Sequence, residues 1–267
     1  MKLAVSNLAW DPEEEAEVAA KLTSLGVSRV EIAPTKRWSD PTKASRSEVS
    51  AYRKWWEDRG FKIVALQSLV FGRPDLTIFD DEASRQKFLD YLRQIVDLGA
   101  YLGAGVLVFG SPKNRLRGEL SVPKANDVAV SFFRQVGDYA HKAGVTFCIE
   151  PNAPQYGCDF VTTAAEGSEL VARVASPGFG LHLDAACMTL AGDDPASVGA
   201  YSPRHFHISA PYLSALDPAQ VDYEKFADSL RKSDYQNVVS IEMKPDSPGN
   251  IERTVAAIRL AQQVFSG

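Results

Sequence analysis

Acidic and histidine residues occur at the ends of four short apolar segments in the second half of the chain. Three segments end in Glu150, Asp184 and Glu242, and a fourth carries His207. Three carboxylates that meet in a partly desolvated place repel one another, so they need a bound cation or abnormal protonation. Three oxygen donors and one imidazole suit Mn²⁺, Mg²⁺ or Co²⁺ better than a thiolate-rich structural zinc site. The residue types therefore predict one divalent metal ion, with Mn²⁺ as first choice and Mg²⁺, Co²⁺ or Zn²⁺ as alternatives.

Short β-branched or apolar runs alternate with longer amphipathic segments from end to end, which predicts a parallel sheet with helices outside it. Strands are expected at 3–6, 29–33, 62–66, 106–109, 145–150, 179–184, 205–209 and 238–242. Helices are expected after an N-cap at Asp11, at 45–59, 81–102, 122–142 and 163–174, near Ala196, at 223–232, and from an N-cap at Ser247 to about Val264. Eight such units in 267 residues predict an α/β fold, a single (β/α)8 TIM barrel with one domain over 1–267.

Side-chain alternation along the strands predicts where the polar residues point. If Glu150 faces the barrel interior, the same phase turns Asp184, His207 and Glu242 inward, and every intervening outward position is apolar, as packing against helices requires. Consecutive strands of a barrel are neighbours, so we expect these four side chains to converge at one side of its carboxyl-terminal mouth. His182 and His205 lie one layer deeper, as hydrogen-bonded core residues or as partners that orient the ligands.

Composition limits the partners that we expect. A formal net charge of -5 argues against a protein that coats nucleic acid. No segment approaches the roughly 20 apolar residues of a membrane span. The three cysteines form no CxxC pattern and the first residues do not resemble a signal peptide, so a reducing, cytoplasmic compartment is expected. Neither nucleic acid nor a membrane is therefore an expected partner, whereas assembly into a homo-oligomer stays open.

The four polar strand ends resemble those of the xylose isomerase-like barrel superfamily of sugar isomerases and epimerases. The resemblance covers the whole chain in strand order and is strongest from Val145 to Pro245. Similarity to the tagatose/psicose 3-epimerase branch implies four metal ligands, two of which are also the acid/base pair. The implied ligands are Glu150, Asp184, His207 and Glu242, with Glu150 and Glu242 as the catalytic pair.

Two positions depart from the epimerase pattern. Cys187 stands where the epimerases have a histidine, and Leu213 stands where they have an arginine. Both family residues contact sugar hydroxyls near the reacting carbon, so a free ketohexose fits this chain less well. A three-zinc site like that of endonuclease IV is not expected, because the chain has only four histidines.

The expected activity is a metal-dependent isomerisation or epimerisation of a carbohydrate or sugar derivative. The metal would chelate a carbonyl and the adjacent hydroxyl, one glutamate would remove the intervening proton to give a cis-enediolate, and the other would return it. One alternative is a dehydratase similar to inosose or dehydroshikimate dehydratase, which begins with the same proton abstraction. Another is a non-catalytic metal- or sugar-binding barrel, against which the intact pair Glu150 and Glu242 argues.

Residues after other strands are expected to define a small carbohydrate substrate. The predicted substrate-binding residues are Gln67, Asn152, Lys244, Lys36 and Trp10. A single surface lysine or arginine is usually a solvated charge, but several follow strands 2, 4 and 8, including Lys113, Arg115 and Arg117. Together they predict an anionic group on the substrate, such as a phosphate or a sugar acid.

Overall fold

Eight parallel strands close into a barrel in the computed structural model, which describes residues 1–265. Each strand pairs with the next along the chain, and the first pairs with the last. Strands β1 to β8 span Lys2–Ser6, Arg29–Ile32, Lys62–Leu66, Val106–Phe109, Thr146–Ile149, Phe179–Asp184, His205–Ser209 and Val238–Glu242. This architecture confirms the predicted (β/α)8 TIM barrel.

A helix follows each strand and covers the outside of the barrel. Helices α1 to α8 span Glu15–Ser24, Arg46–Glu57, Glu82–Leu102, Val122–Lys142, Ala164–Val174, Ala185–Ala191, Tyr223–Lys232 and Asn250–Phe265. The predicted N-cap at Asp11 begins a 3-10 turn, Pro12–Glu14, that runs directly into α1. No helix within residues 1–265 has both the length and the apolar character needed to cross a membrane.

One helix was missed and one begins later than predicted. The short helix expected near Ala196 is present as a 3-10 helix at Pro195–Tyr201, but α6, which begins directly after β6 with the Asp184 side chain as its cap, was not predicted. The last helix begins at Asn250 rather than just after Ser247. Gly249 has a φ of 111°, which no helical residue adopts, so the chain turns there before α8 begins.

The outward faces of β5 to β8 bury the apolar residues that separate the polar ones. Ile149, Leu183, Phe206 and Ile241 have no exposed surface and belong to the hydrophobic core between strands and helices. Removing apolar surface from water stabilises this layer by roughly 25 cal/mol per Å² buried. A shift of one residue in any of these strands would turn its polar set outward, so the layer fixes the direction of the site residues.

The strand register brings the polar ends to similar heights. Asp184 is paired with His207 across β6 and β7, and Glu242 is paired with Ser209 across β7 and β8. Glu150 continues the line of β5, since its N–H donates to the carbonyl of Phe109 at 3.0 Å. The four side chains predicted to converge therefore leave adjacent strands at the same end of the barrel.

Candidate functional site

Four polar side chains at the carboxyl ends of β5 to β8 meet in one place, where the three carboxylates line a cavity and the His207 imidazole lies against them. Nδ1 of His207 lies 3.2 Å from Oε2 of Glu242 and 4.0 Å from Oδ2 of Asp184. These three residues offer ligand atoms within 4.8 Å of one another, and Glu150, Asp184 and Cys187 form a second group with the same property. Because Asp184 belongs to both groups, the structure brings all four predicted metal ligands to one place, with the Cys187 thiol beside them.

The position of the Glu150 carboxylate depends on a glycine on the neighbouring strand. Gly110 directly follows β4, and a Cβ atom there would lie 1.6 Å from Oε2 of Glu150. Below the carboxylate, the guanidinium of Arg115 donates to the Glu150 carbonyl at 2.7 Å and to Oδ1 of Asn152 at 2.9 Å. Arg115 therefore holds the backbone of Glu150, and Gly110 leaves space for its side chain.

Asp184 is oriented by two hydrogen-bond donors. The N–H of Cys187 donates to Oδ1 at 2.6 Å, and this hydrogen bond makes Asp184 the N-cap of α6. The hydroxyl of Ser209 donates to Oδ2. A carboxylate offers about four lone-pair positions, so each oxygen can still accept a cation. Capping and metal binding are compatible roles for this residue, and the cap fixes the rotamer that a ligand needs.

Sequence reasoning missed Glu31, which lies beneath the site. It is completely buried in β2, and Nε2 of His207 lies 3.0 Å and Nε2 of His205 3.3 Å from its Oε2. The signal was available: Glu31 stands between Val30 and Ile32, an acidic residue inside an apolar strand at an inward position. A charged residue is almost never fully buried unless it is paired.

His182 completes this deeper layer. Its ring centroid lies 4.1 Å from that of His207, and its Nε2 is 3.7 Å from Oε1 of Glu150. Neither ring nitrogen has a hydrogen-bond partner among residues 1–265. Burial, followed by the charges of His207 and His205, lowers the pKa of His182 well below its ordinary value. This ring is therefore neutral and packs against the underside of the site.

The carboxylates are electrostatically unbalanced. Burial, together with the charges of Asp184 and Glu242, raises the pKa of Glu150 to about 8. Burial also raises the pKa of Glu242, although His207 opposes the shift. Burial alone would lower the pKa of His207, but Glu31 and Glu242 raise it well above its ordinary value. Without a cation the cluster keeps protons that ordinary carboxylates would lose at neutral pH.

The donor set fits a divalent cation. Three carboxylates and one imidazole are common ligands of Mn²⁺, Mg²⁺ and Zn²⁺. Nδ1 of His207 is buried, makes no hydrogen bond within residues 1–265 and lies 3.2 Å from Oε2 of Glu242, so a cation that displaced its proton would find this nitrogen beside the carboxylates. The Cys187 thiol is held neutral, because burial and the carboxylates of Asp184 and Glu150 raise its pKa well above the ordinary value. The site thus offers mainly oxygen ligands.

A cavity of about 540 Å³ opens above these residues, within the size range of small-molecule sites. Gln67, Asn152 and Lys244 line it, as do Glu150, Asp184 and Glu242. Trp10 and Lys36 are not among the described residues that line the cavity. Trp10 is 1% exposed and belongs to the hydrophobic core, and Nζ of Lys36 lies 3.9 Å from Oδ1 of Asp11.

The basic residues expected around the cavity have other contacts. Arg115 is completely buried and bonds the protein backbone, and Nε of Arg117 donates to the carbonyl of Asp159 at 3.1 Å. Lys113 is not among the described residues that line the cavity. Of the basic side chains named from the sequence, Lys244 lines it.

The mouth of the cavity is apolar and aromatic. Phe71 and Tyr212 both line it and are 72% and 61% exposed. Tyr212 and Leu213 have positive φ values of 61° and 57°, an unfavourable conformation for bulky residues. Two hydrogen bonds hold this backbone conformation. The Tyr156 hydroxyl accepts from the Tyr212 N–H at 3.0 Å, and the Lys244 N–H donates to the Leu213 carbonyl at 2.8 Å. Strained backbone fixed in this way is common at binding sites.

Comparison with known proteins identifies the family. Residues 19–263 match the model of the xylose isomerase-like TIM barrel family, and the chain belongs to this family. This membership confirms the resemblance to the xylose isomerase-like superfamily that the residues at the strand ends indicate. A comparison with curated protein sequences gave no significant match.

Solved structures with the same architecture include several proteins that act on sugars. A D-psicose 3-epimerase in the presence of D-fructose has a TM-score of 0.83 at 17% identity, covering 100% of both chains. The 3-keto-D-glucoside 4-epimerase YcjR from E. coli has a TM-score of 0.79 at 18% identity, covering 97% of this chain and 99% of its own. The IOLI protein with a bound zinc atom has a TM-score of 0.79 at 18% identity, covering 100% and 98%. At these identities the likeness establishes the fold.

Proposed function

We propose that this protein is a divalent-metal-dependent isomerase or epimerase of a carbohydrate or sugar derivative. The observation that carries the proposal is the pair of carboxylates Glu150, which is buried, and Glu242, whose side chain is 12% exposed; both line a cavity that Asp184 also lines. Both carboxyl groups line the same cavity, so each can reach a substrate bound there. Two carboxyl groups of this kind beside a metal site suit removal and return of one proton.

The glutamates provide the acid/base chemistry in this scheme. When bound, the metal ion polarises a substrate carbonyl and makes the adjacent C–H more acidic. One glutamate removes that proton to give a cis-enediolate, and the other returns a proton to the intermediate. Asp184 and the His207 imidazole would hold the ion, and Arg115 keeps Glu150 in place through its carbonyl.

Gln67, Asn152 and Lys244 are the proposed substrate contacts. The amide of Asn152 is already held, because Oδ1 accepts from Arg115 at 2.9 Å and Nδ2 lies 3.4 Å from Sγ of Cys187. A fixed amide beside the carboxylates can select the orientation of a substrate hydroxyl without losing much entropy. Lys244 is the group that would receive a negatively charged end of the substrate.

The enzyme names of two structural relatives support this choice. D-psicose 3-epimerase and 3-keto-D-glucoside 4-epimerase are, by their names, enzymes that invert a carbon centre of a sugar. The IOLI structure contains zinc. Cys187 and Leu213 stand where the 3-epimerase pattern has histidine and arginine, so we propose the reaction class and not the substrate of those enzymes.

Solvent deuterium incorporation tests the proposed reaction. The purified protein is incubated in D2O with added Mn²⁺ and a panel of ketoses, sugar acids and sugar phosphates, and the metal is chelated before proton NMR spectra are recorded. An isomerase or epimerase introduces deuterium at a carbon that is retained in the product. Loss of water from the substrate would instead establish the dehydratase, and binding without any exchange would establish a non-catalytic barrel.

The anionic substrate class is tested separately with Lys244. D-fructose 6-phosphate and D-fructose are compared for their effect on the melting temperature of the Mn²⁺-loaded protein. Greater protection by the phosphate, lost in Lys244→Met, is the expected result, because Lys244 is the basic residue named from the sequence that lines the cavity. Equal protection by the two sugars would contradict it.

A further inference from the structure

A buried carboxylate lies directly behind the histidine of the candidate metal site. The two oxygens of Glu31 are 3.2 and 3.0 Å from Nε2 of His207, and both residues are almost completely buried. The opposite ring nitrogen, Nδ1, is the one that faces Asp184 and Glu242. Glu31 is not among the described residues that line the cavity, so it acts on the chemistry through His207.

We propose that Glu31 is a positioning residue that determines which nitrogen of His207 binds the metal ion. This inference rests on the proposed metal-dependent function. When Nε2–H donates to Glu31, the lone pair for a cation is on Nδ1, and the plane of the ring is fixed at the same time. A carboxylate behind a metal-binding imidazole also makes the ring a stronger base and therefore a stronger ligand.

The contact spans the interior of the barrel. Glu31 is in β2 and His207 is in β7, strands that are not neighbours and whose contacting residues are 176 positions apart. Closure of the barrel is thus what places the carboxylate behind the ring. Since both partners are on strands and not on loops, the orientation of His207 is set by the most rigid part of the molecule.

Charge balance distinguishes this role from a second metal site. His182, His205 and His207 offer nitrogens within 4.8 Å of one another, and Glu31 is beside them. One carboxylate that accepts hydrogen bonds from two imidazoles is already compensated and needs no cation. The layer above contains three carboxylates for a single imidazole and does need one. We therefore expect one ion for each chain.

The test compares the wild type with Glu31→Ala, Glu31→Gln and a matched control, His205→Gln, which removes the other partner of Glu31 from the same buried layer. Mn²⁺ affinity is measured by competition with a chelator, and bound ions are counted. The Nε2 proton of His207 is followed by ¹⁵N-edited NMR in the Mg²⁺-loaded protein. Circular dichroism verifies that each variant folds, and the nearly isosteric Glu31→Gln keeps the test valid if Glu31→Ala does not.

The expected result is a graded loss of metal affinity. Mn²⁺ should bind about 100-fold more weakly to Glu31→Ala and about 10-fold more weakly to Glu31→Gln, the range found when such carboxylates are removed behind metal-binding histidines. The protected Nε2 proton of His207 should disappear in Glu31→Ala. His205→Gln should retain both the proton and nearly all of the affinity, because the contact of Glu31 with His207 remains.

Three results would overturn the inference. Unchanged Mn²⁺ affinity in Glu31→Ala would show that His207 needs no carboxylate behind it. Equal losses in Glu31→Ala and His205→Gln would assign the effect to packing of the layer. Two ions for each wild-type chain would identify the deep cluster as a metal site of its own. A wild-type protein that binds no divalent metal would instead refute the proposed function on which the inference rests.

Discussion

Gly110→Ala is a small change that should displace Glu150, one of the two proposed acid/base glutamates, and leave the fold intact. The added Cβ would lie 1.6 Å from Oε2 of Glu150 and 2.8 Å from its Cδ, whereas real Cβ contacts are essentially never under 3.0 Å. The clashing atoms are at the end of a flexible side chain, so the carboxylate rotates away while the backbone stays. Gly110 has no positive φ that would strain an alanine.

The size of the effect follows from this displacement. To restore van der Waals contact, the Glu150 carboxylate must move by about 1.5 to 2 Å, and misplacing a reacting group by about 1 Å costs on the order of 100-fold in rate. We expect kcat to fall at least about 100-fold in Gly110→Ala. The melting temperature should change little, because the new methyl group creates no cavity in the core and breaks no backbone hydrogen bond.

Gly105→Ala is the matched control for this experiment. Gly105 precedes the same strand, β4, at the opposite end of the barrel, and the nearest atom to an added Cβ is 3.9 Å away. Deuterium exchange into a substrate found in the screen described above measures turnover of both variants. Wild-type turnover in Gly105→Ala with a large loss in Gly110→Ala is the expected pattern. If Gly110→Ala kept wild-type turnover, the observed position of Glu150 would not be needed for the reaction.

Three further predictions concern the same site. Glu150→Gln and Glu242→Gln should each reduce deuterium exchange by at least about 100-fold with an unchanged circular dichroism spectrum, and a Glu242→Gln variant with most of its activity would rule out the two-base scheme. The pKa of Glu150 is raised to about 8 and that of His207 is raised well above its ordinary value, so at least one proton must leave when metal binds. Mn²⁺ affinity should therefore fall by at least about tenfold per unit as pH drops below 8, and a flat calorimetric profile from pH 6 to 8 would contradict this. Arg115→Met should lower the free energy of unfolding in urea by roughly 3 kcal/mol, because buried oxygens of Glu150, Asn152 and Phe160 lose their donor, and a change below about 1 kcal/mol would show that water replaces it.

Strand periodicity was sufficient to predict the barrel and the direction of its site residues. The inward phase of Glu150, Asp184, His207 and Glu242 follows from alternation, and each strand contributes its own outward apolar residues, such as Ile149 and Ile241. These are local properties that do not require knowledge of long-range contacts. The same is true of the helix start predicted at Asp11, which precedes the 3-10 turn that runs into α1.

Residues whose role depends on distant contacts were harder to interpret. Arg115 follows a strand like a substrate-facing arginine, but its partners are carbonyls up to 45 positions away, so the sequence gives no sign of its burial. Gly110 is one of 18 glycines, and only the facing carboxylate of Glu150 distinguishes it. Glu31 had a usable signal in its apolar strand, but its partner, His207, becomes evident only when the barrel closes.

The proposed chemistry requires that the three carboxylates at the cavity floor and the adjacent His207 imidazole be held together around a cation. Crystals grown with Mn²⁺ and measured at the manganese absorption edge test this directly through the anomalous difference map. The predicted result is one peak for each chain, at roughly 2.0 to 2.4 Å from oxygens of Glu150, Asp184 and Glu242 and from Nδ1 of His207. A map without a peak at the cavity floor, or with its peak on other residues, would contradict the proposed site and the chemistry assigned to it.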